Sequence, residues 1–415
     1  MASHPTPSRT VLLVGGGSGG HIYPNLAVAE RLTPDLRPHL IVSTRPLDAQ
    51  IAETSGLDYT PLPASPLSLR PRGGFRFWRN FRRGRSKTLQ LIQQTHAAAM
   101  IATGGFVSGP AVAAARKAGI PVALVSLDAV PGRSNRFTAR SATAVFSAFP
   151  THNHAKPLPG VRIIGFPLRA AAVGPPTITP AQARAHFGLD PDRPTLLIFA
   201  GSQGARTINR AVVPFLTQHA PALAADRWQV LHVSGPDASE DVTQAYRAAD
   251  ASTPRGDGSF DLAGILIRVI PFCDRMDLAW RATAGGDNHD KSGGISGGAS
   301  GDTSGGVALT RAGAGTVAEA WANAVPCVML PYPFHKDQHQ KHNAAPLVDL
   351  GGAVVVADAI DPAANVARLT ESLLPLLRGA DRRAAMRRSL QANPPADGAN
   401  HLRHWLETQA LGRPA

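Results

Sequence analysis

Short apolar runs alternate along the chain with longer stretches in which apolar residues recur at helical spacing. Apolar runs that end at a glycine or a polar turn are typical of buried strands. The first half predicts strands at 10–15, 39–44, 98–105, 120–126 and 142–149, with a helix over 24–32 that has Pro24 in its first turn. The second half predicts a strand–turn–helix unit over 195–216 and strands at 229–234, 264–270, 307–310, 326–330 and 353–357. This alternation predicts parallel sheets covered by helices, an α/β fold.

The length of 415 residues suggests two domains. We expect three regions along the chain: a first domain over 1–167, a second domain over 168–395 and a helical tail over 396–415. Proline-rich sequence from about 167 to 194 is typical of a linker. Two further stretches have compositions that favour flexible insertions: a disordered loop over 284–306 and a second segment over 250–260.

The net charge limits the classes of binding partner that the sequence favours. A formal net charge of +13 favours an anionic partner, which can be nucleic acid, a phosphate-bearing substrate or an anionic membrane surface. The two cysteines, Cys273 and Cys327, argue for a reducing compartment and against a disulfide framework. The N-terminal residues lack the apolar core of a signal peptide, and no apolar run is long enough for a membrane-spanning helix.

The first strand ends in a dense glycine turn directly before His21. The turn comprises Gly15, Gly16, Gly17, Ser18, Gly19 and Gly20. Glycines after a strand allow a ligand to contact the backbone, and a helix N-terminus attracts anions. A dinucleotide would need an acidic residue at the tip of the second strand, but Ser43, Thr44 and Arg45 stand there, which disfavours NAD and leaves NADP open. The alternative is a tight turn without a ligand, with His21 as a capping or packed histidine.

A second glycine turn ends another strand of the first half. It contains Gly104, Gly105, Ser108 and Gly109. In a parallel sheet both turns lie at the carboxyl edge, where ligands bind, so together they suit a bulky phosphorylated substrate. The alternative is that these glycines only reverse the chain.

The second half repeats this design. In "GSQGAR", over 201–206, Ser202 and the following N–H groups are candidates for a pyrophosphate. In "RAGAGTVAEAW", over 311–321, Thr316 and Glu319 either form a capping box or leave Glu319 to accept ribose hydroxyls. His335, His339 and His342 share one face of a predicted helix, and sugar binding through His339 or Gln340 is favoured there over a metal site.

The segment 67–87 carries eight basic residues and no acidic residue. Its aromatic and arginine candidates for membrane contact are Phe75, Phe77, Trp78, Phe81, Arg79, Arg82 and Arg83. Aromatic rings that enter the interface while arginines meet headgroups suit an anionic lipid surface. Stacking and phosphate contacts with nucleic acid, or a solvated basic loop, are the alternatives from the residues alone.

Five motifs stand in the order and spacing of one known family. The sequences "GGGSGGHIYPNLAVAERL", "GGFVSGPAVAAARKAGIPVAL", "GSQGARTIN", "RAGAGTVAEA" and "PYPFHKDQHQKHNA" resemble the MurG family of peptidoglycan N-acetylglucosaminyltransferases over about residues 10–378, apart from the insertions. The resemblance implies a GT-B fold, with two Rossmann-like domains facing an interdomain cleft. It implies inverting transfer of N-acetylglucosamine from UDP-N-acetylglucosamine to the C4 hydroxyl of lipid I, giving lipid II.

The resemblance also implies the setting. We expect a peripheral protein at the cytoplasmic face of the cell membrane that needs no cofactor and no active-site metal. Its expected partners are UDP-N-acetylglucosamine, lipid I, the anionic membrane surface and other cell-wall synthesis proteins. Nucleic acid is not an expected partner.

The resemblance assigns roles position by position. Ser18, Gly19 and Gly20 match the turn that meets the donor from the first domain, and His21 matches the general base or its positioner. Arg169 matches an arginine of the interdomain junction, Ser202 the serine on the donor phosphate, and Cys273 a residue whose backbone pairs with uracil. Ala314, Gly315 and Thr316 match the diphosphate loop, Glu319 the ribose acid, and Gln340 the glutamine that binds the sugar.

One stretch departs from the family pattern. The family has H-E-Q-N before a cleft turn, whereas this chain has Val125, Ser126, Leu127 and Asp128, although Asn135 matches. An ionised Asp128 only accepts hydrogen bonds, where the family's amide also donates them. The departure allows a divergent GT-B paralogue with another acceptor. A UDP-sugar 2-epimerase-like enzyme or a non-catalytic protein that binds membranes or anions are further alternatives.

Overall fold

The structure is a computed structural model that describes residues 8–65, 71–151, 156–200, 206–249, 259–285 and 305–413. The described residues form two compact units. The first unit comprises the described parts of Met1–Ala170 and Ala396–Ala415, and the second comprises those of Ala171–Pro395. The C-terminal segment, expected from the sequence to be a separate tail, therefore groups with the first unit.

The first unit contains one parallel sheet of seven strands in the order β3-β2-β1-β4-β5-β6-β7. Its elements are β1 (Arg9–Val14), α1 (Gly19–Ala29), β2 (Leu36–Ser43), α2 (Pro46–Thr54), β3 (Tyr59–Leu62), α3 (Pro71–Thr95), β4 (Ala99–Ala102), α4 (Ser108–Ala118), β5 (Val122–Ser126), α5 (Arg133–Thr138), β6 (Ala144–Ser147) and β7 (Arg162–Ile163). The order reverses between β1 and β4, which places the two glycine turns side by side at the carboxyl edge.

The second unit also contains a seven-stranded sheet, and its elements begin with a helix. They are α6 (Pro180–His186), β8 (Thr195–Ile198), α7 (Arg206–Ala225), β9 (Gln229–Val233), α8 (Ser239–Ala248), β10 (Ser259–Leu262), β11 (Ile265–Ile270), α9 (Met276–Thr283), β12 (Val307–Thr310), α10 (Ala314–Ala322), β13 (Cys327–Met329), α11 (His339–Asn343), α12 (Ala345–Asp349), β14 (Ala353–Val355), α13 (Pro362–Ser372), α14 (Leu374–Arg378) and α15 (Ala380–Ala392). The strand order is β10-β11-β9-β8-β12-β13-β14, and only the pair β10–β11 is antiparallel.

The chain returns to the first unit through α16 (Gly398–Leu411), which packs against α1, β1 and β4. The Trp405 ring contacts Phe146 edge-on, and Arg9 donates to the carbonyl of Ala410. Buried apolar residues of the strands and of the helices that cover them form each core, and the continuous apolar runs predict the contribution of the strands. Within the described residues, none of the helices combines the length and apolar character needed to cross a bilayer.

The structure confirms the parallel α/β organisation and corrects several local expectations. Helix α1 begins at Gly19, so Pro24 lies inside it and His21 lies in its first turn. The stretch expected to be a linker contains α6, which a capping box between Thr179 and Gln182 initiates. Strands β3, β7 and β10 are short, and the sequence pattern did not indicate them; β10 takes Ser259 and Phe260 out of an expected insertion. Most of the expected disordered loop over 284–306, and the rest of the insertion at 250–260, lie outside the described residues.

Candidate functional site

The first glycine turn is held in place by Asp48, a fully buried carboxylate on α2. Its Oδ2 atom accepts hydrogen bonds from the backbone N–H of Gly17 at 2.6 Å and from the hydroxyl of Ser43 at 2.6 Å. Arg45 donates to the carbonyl of Gly17. An acidic side chain thus does reach the tip of β2, but its bonds go to the protein rather than to a ribose. Sequence spacing missed this role because Asp48 arrives from the following helix.

His21 is oriented by a residue far away in sequence. Its Nδ1 atom lies 3.0 Å from the backbone oxygen of Thr103, which follows β4. A carbonyl oxygen only accepts hydrogen bonds, so Nδ1 carries a proton, and in the neutral ring Nε2 then presents the lone pair. The Thr103 hydroxyl donates to the carbonyl of His21 at 2.7 Å and accepts from the side chain of Asn25 at 3.0 Å. The arrangement holds an imidazole that can accept a proton.

The second glycine turn packs directly on the first. Gly104 and Gly105 have φ of +111° and +80°, a region that favours glycine. A Cβ on Gly104 would lie 3.0 Å from Cε1 of His21, and a Cβ on Gly105 would lie 2.0 Å from the carbonyl oxygen of Gly16. Ser108 is buried and donates to the carbonyl of Gly104. These glycines are needed for close approach, so they do more than reverse the chain.

The remaining candidate residues of the first unit lie in three different places: after β5, on α5 and beside the end of α1. Asp128 follows β5 and is partly exposed, and its carbonyl accepts from the hydroxyl of Ser126. Asn135 is buried on α5, and its Oδ1 atom would lie 3.3 Å from a Cβ on Gly104. Arg169 is paired with Glu30 at the end of α1, with Nε 2.5 Å from Oε1. Its Nε is therefore committed to the protein.

In the second unit, the turn after β12 leads into α10, whose N-cap is Gly313. The helix begins at Ala314, so Thr316 lies in the first turn and no side chain caps the helix. The capping-box interpretation of Thr316 and Glu319 is therefore wrong. The first N–H groups of α10 have no partner within the helix, which suits an anion.

Glu319 accepts a hydrogen bond from the indole Nε1 of the buried Trp280 at 3.0 Å. Burial raises the pKa of Glu319 to about 7, and the bond from Trp280 opposes this increase. Its carboxyl group therefore titrates near neutral pH, where a small change in surroundings decides its charge.

Helix α11 is shorter than expected and begins at His339, so His335 lies in the preceding turn. Gln340 accepts the backbone N–H of Tyr332 through Oε1 at 2.8 Å, which directs its NH₂ group away from that bond. His339 is paired with Asp337, whose pKa this pair lowers although burial acts in the opposite direction. Within the described ranges, no group of three or more potential metal-ligating side chains is assembled.

Two further residues are predicted from the sequence to bind the donor, Cys273 and Ser202. Cys273 is buried, and burial raises the pKa of its thiol to about 11, so the side chain is neutral near neutral pH. Ser202 lies outside the described residues.

The basic aromatic segment is mostly a helix rather than a loop, because α3 continues without interruption from Pro71 to Thr95. Phe77 and Phe81 are partly buried and their rings pack together. Phe81 faces α4, where a Cβ on Gly109 would lie 3.5 Å from its ring. Phe75 and Trp78 are 72% and 58% exposed. The arginines on the outer side of α3 are also exposed: Arg72, Arg76, Arg79, Arg82 and Arg83.

The chain matches two family models. Residues 11–147 match the glycosyltransferase family 28 N-terminal domain, and residues 195–284 and 304–402 match its C-terminal domain. A UDP-N-acetylglucosamine–N-acetylmuramyl-(pentapeptide) pyrophosphoryl-undecaprenol N-acetylglucosamine transferase of Nocardioides is 33% identical, over 98% of this chain and 99% of the relative. The protein of the same name from Acidothermus cellulolyticus is 34% identical, over 97% and 98% of the two chains.

Solved structures share the fold. The crystal structure of Acinetobacter baumannii MurG matches with a TM-score of 0.67 at 21% identity, over 96% of this chain and 99% of that chain. A putative UDP-N-acetylglucosamine 2-epimerase from Listeria monocytogenes matches with a TM-score of 0.63 at 12% identity, over 98% of both chains. The fold alone therefore does not separate transferases from epimerases, whereas sequence identity over the full length does. The chain belongs to glycosyltransferase family 28 and, within it, to the MurG family of N-acetylglucosamine transferases.

Proposed function

We propose that this protein transfers N-acetylglucosamine from UDP-N-acetylglucosamine to the C4 hydroxyl of lipid I, with inversion at the anomeric carbon, and so makes lipid II for peptidoglycan. The observation that carries the proposal is identity of 33–34% over nearly the whole chain to relatives named as UDP-N-acetylglucosamine–N-acetylmuramyl-(pentapeptide) pyrophosphoryl-undecaprenol N-acetylglucosamine transferases. The attacked hydroxyl and the inversion are parts of the proposal that the family resemblance implies.

In the first unit, His21 is the proposed general base. Its Nε2 lone pair takes the proton of the C4 hydroxyl as that oxygen attacks the anomeric carbon and UDP leaves. The bond from Nδ1 to the carbonyl of Thr103 supports this role, because it fixes the tautomer that can accept a proton. The first glycines at 15–17 and the turn at 104–109 are the proposed acceptor contacts. Ser18, Gly19 and Gly20 are proposed to meet the donor, and Asp128 is a further proposed substrate contact.

In the second unit, the N–H groups of Ala314, Gly315 and Thr316 are proposed to bind the diphosphate and to stabilise the charge that develops on the leaving UDP. Glu319 is proposed to accept the ribose hydroxyls, and the backbone of Cys273 to pair with uracil. The NH₂ group of Gln340 is left to donate to the amino sugar because Oε1 already accepts from Tyr332. Ser202 and the terminal nitrogens of Arg169 remain proposed contacts to the donor phosphates.

Turnover of radiolabelled UDP-N-acetylglucosamine with a lipid I analogue tests the reaction. We expect labelled lipid II, and we expect UDP-N-acetylglucosamine but not NADPH to raise the melting temperature. Donor binding without transfer to lipid I would contradict the proposed acceptor and favour a paralogue. Formation of an epimerised UDP-sugar without any acceptor would favour the epimerase alternative.

The outer side of α3 is proposed to bind the anionic cytoplasmic surface of the membrane. In support, two large aromatic side chains and five arginines are exposed on one helix, and none of these arginines forms an ion pair with a described residue. Each basic residue near an anionic surface contributes about 1 kcal/mol. The triple variant R79E/R82E/R83E should therefore lose about a hundredfold or more in affinity for phosphatidylglycerol vesicles.

The matched control for this test is R378E/R382E/R388E, which reverses three exposed arginines of the second unit. It should bind vesicles as the wild type does. An equal loss in both triple variants would mean that net charge, rather than α3, mediates binding.

A further inference from the structure

A buried ion pair in the second unit lies next to the proposed donor residues but takes no part in the mechanism above. Arg311 follows β12 directly, and its Nη1 atom lies 2.7 Å from Oδ2 of Asp358, which follows β14. The side chains of Arg311 and Asp358 are 8% and 0% exposed. A buried pair of charges costs free energy of desolvation unless further hydrogen bonds satisfy both partners.

Asp358 is fully bonded. Its Oδ2 atom also accepts from the hydroxyl of Thr207, and its Oδ1 atom accepts from Asn365 Nδ2 and from the backbone N–H of Ile360, both at 2.8 Å. Burial alone would raise the pKa of Asp358, but these hydrogen bonds and the one from Arg311 outweigh burial and lower it. The carboxylate is therefore ionised at neutral pH.

Arg311 extends the network to two more segments. Its Nη1 atom donates to the carbonyl of Leu330 at 2.8 Å, and its Nη2 atom donates to the hydroxyl of Thr207 at 2.7 Å. Its guanidinium carbon lies 5.7 Å from the centre of the Tyr332 ring. Tyr332 in turn donates its backbone N–H to Gln340.

One ion pair thus connects four segments at the carboxyl edge of the sheet. They are the start of α7, the turn between β12 and α10, the segment between β13 and α11, and the turn after β14. Two of these segments adjoin the proposed donor contacts. The turn between β12 and α10 leads into the N-terminus of α10, and Tyr332 in the segment before α11 is bonded to Gln340.

The same network holds a strained backbone position. Ile360 has φ of +68°, which is uncommon for a β-branched residue, and its N–H is bonded to Asp358. Strain of this kind persists only where the surrounding contacts impose it, and it tends to occur near functional sites.

We propose that Arg311 and Asp358 are positioning residues that set the spacing between the N-terminus of α10 and Gln340. The inference rests on the proposed function of this site and adds to it the residues that align its two halves. The affinity of a ligand that contacts both the N-terminus of α10 and Gln340 depends on this spacing. The affinity of a ligand that contacts only the N-terminus of α10 depends on it much less.

The test compares the affinities of UDP and UDP-N-acetylglucosamine in the wild type, Asp358→Asn and Arg311→Lys. Both variants should lose affinity for UDP-N-acetylglucosamine by roughly tenfold to a hundredfold, because small misplacements carry costs of this size. The loss for UDP should be smaller. Lysine should not restore binding because one ammonium group cannot reach all the partners of the guanidinium.

The matched control is Glu407→Gln, which breaks the partly buried pair between Arg403 and Glu407 on α16. It should change neither affinity. If Asp358→Asn does not fold, Thr207→Val removes one hydroxyl that bonds to both members of the pair and should produce a smaller shift of the same sign.

The inference would be overturned if the variants had a lower melting temperature but lost equal affinity for the two ligands, or lost none for either. The pair would then be merely structural. A wild type that binds neither ligand would overturn the proposed function, and this inference with it.

Discussion

The imidazole of His21 is hydrogen-bonded through Nδ1 to the backbone oxygen of Thr103, at a distance of 3.0 Å. The two residues belong to different strand–helix units, and adjacent strands β1 and β4 bring them together. This bond leaves Nε2 as the proton acceptor, so the orientation and the tautomer of the ring are set before any substrate binds.

Replacing His21 by alanine should lower kcat by about 10²- to 10⁴-fold, the usual contribution of a general base. Donor affinity should change little, because the proposed donor contacts of α10 and Gln340 lie in the second unit. Steady-state turnover with a lipid I analogue and calorimetric titration with UDP-N-acetylglucosamine measure the two quantities.

His401→Ala is the matched control for this prediction. Its Nδ1 is also bonded to a backbone carbonyl, that of Asp397, but the side chain is exposed on α16. This variant should retain wild-type turnover. A kcat of His21→Ala close to that of the wild type would rule out His21 as the base.

The affinity for UDP-N-acetylglucosamine should increase as the pH rises through about 7, the pKa of Glu319. The ionised carboxylate accepts stronger hydrogen bonds from the ribose hydroxyls, whereas below that pH the group is protonated, uncharged and has fewer acceptor sites. Glu319→Gln should bind the donor more weakly and lose this pH dependence, as titrations from pH 5.5 to 8.5 measure. A pH profile that is the same in both proteins would contradict the role of Glu319.

The same raised pKa affects folding with the opposite sign. Between the pKa values of unfolded and folded Glu319 the folded protein binds more protons, so the free energy of unfolding decreases as the pH rises through that range. Glu319→Gln should remove this part of the pH dependence. Denaturant unfolding at a series of pH values measures it, and an increase in stability with pH that the glutamine variant abolishes would contradict the assignment.

Gly105→Ala should lower the free energy of unfolding by at least about 3 kcal/mol, because the new Cβ would require a positive φ and would overlap the carbonyl of Gly16. Gly132→Ala, in the same unit, should stay within about 1 kcal/mol of the wild type. No atom lies within 4 Å of its Cβ position, and the remaining cost is the loss of glycine at the N-cap of α5. Urea unfolding compares the two variants. Similar stabilities would show that the two glycine turns do not pack as described.

Replacing residues 286–304 by a short glycine–serine linker should leave the fold and the turnover intact. The flanking residues are already joined, because the N–H of Gly306 donates to the carbonyl of Thr283 at 2.9 Å. The buried side chains of Arg184 and Arg383 bond to the carbonyls of Ala284 and Gly305. Loop length changes closure entropy only slowly, so stability should change by about 1 kcal/mol or less.

A wider deletion, from Thr283 to Gly306, is the control for this replacement. It removes the residues on both sides of the loop that are hydrogen-bonded to each other and to Arg184 and Arg383, and it should unfold the second unit. Thermal unfolding measures the stability of both variants, and lipid II formation measures their turnover. A loss of folding in the variant with residues 286–304 replaced would contradict the expectation.

The sequence by itself determined the parallel α/β organisation and the positions of the glycine turns at the ends of its strands. Continuous apolar runs specify buried strands, and the glycines at 15–20, 104–105 and 313–315 mark turns at strand ends. Local chemistry of this kind depends on neighbours in the chain, so it is visible in the printed sequence. The start of α1 was misplaced because Pro24 resembles a first-turn residue, whereas the glycines before it also adopt helical conformation.

Only the tertiary structure decided which side chains cooperate. Thr103 reaches His21 across 82 positions, Asp48 closes the first glycine turn from the next helix, and Asp358 binds Arg311 across 47 positions. The physical reason is that parallel strands bring distant segments to one sheet edge, where hydrogen bonds depend on ångström distances that residue types do not encode. The protonated nitrogen of His21, the bond from Trp280 to Glu319 and the Arg311–Asp358 ion pair all follow from that juxtaposition.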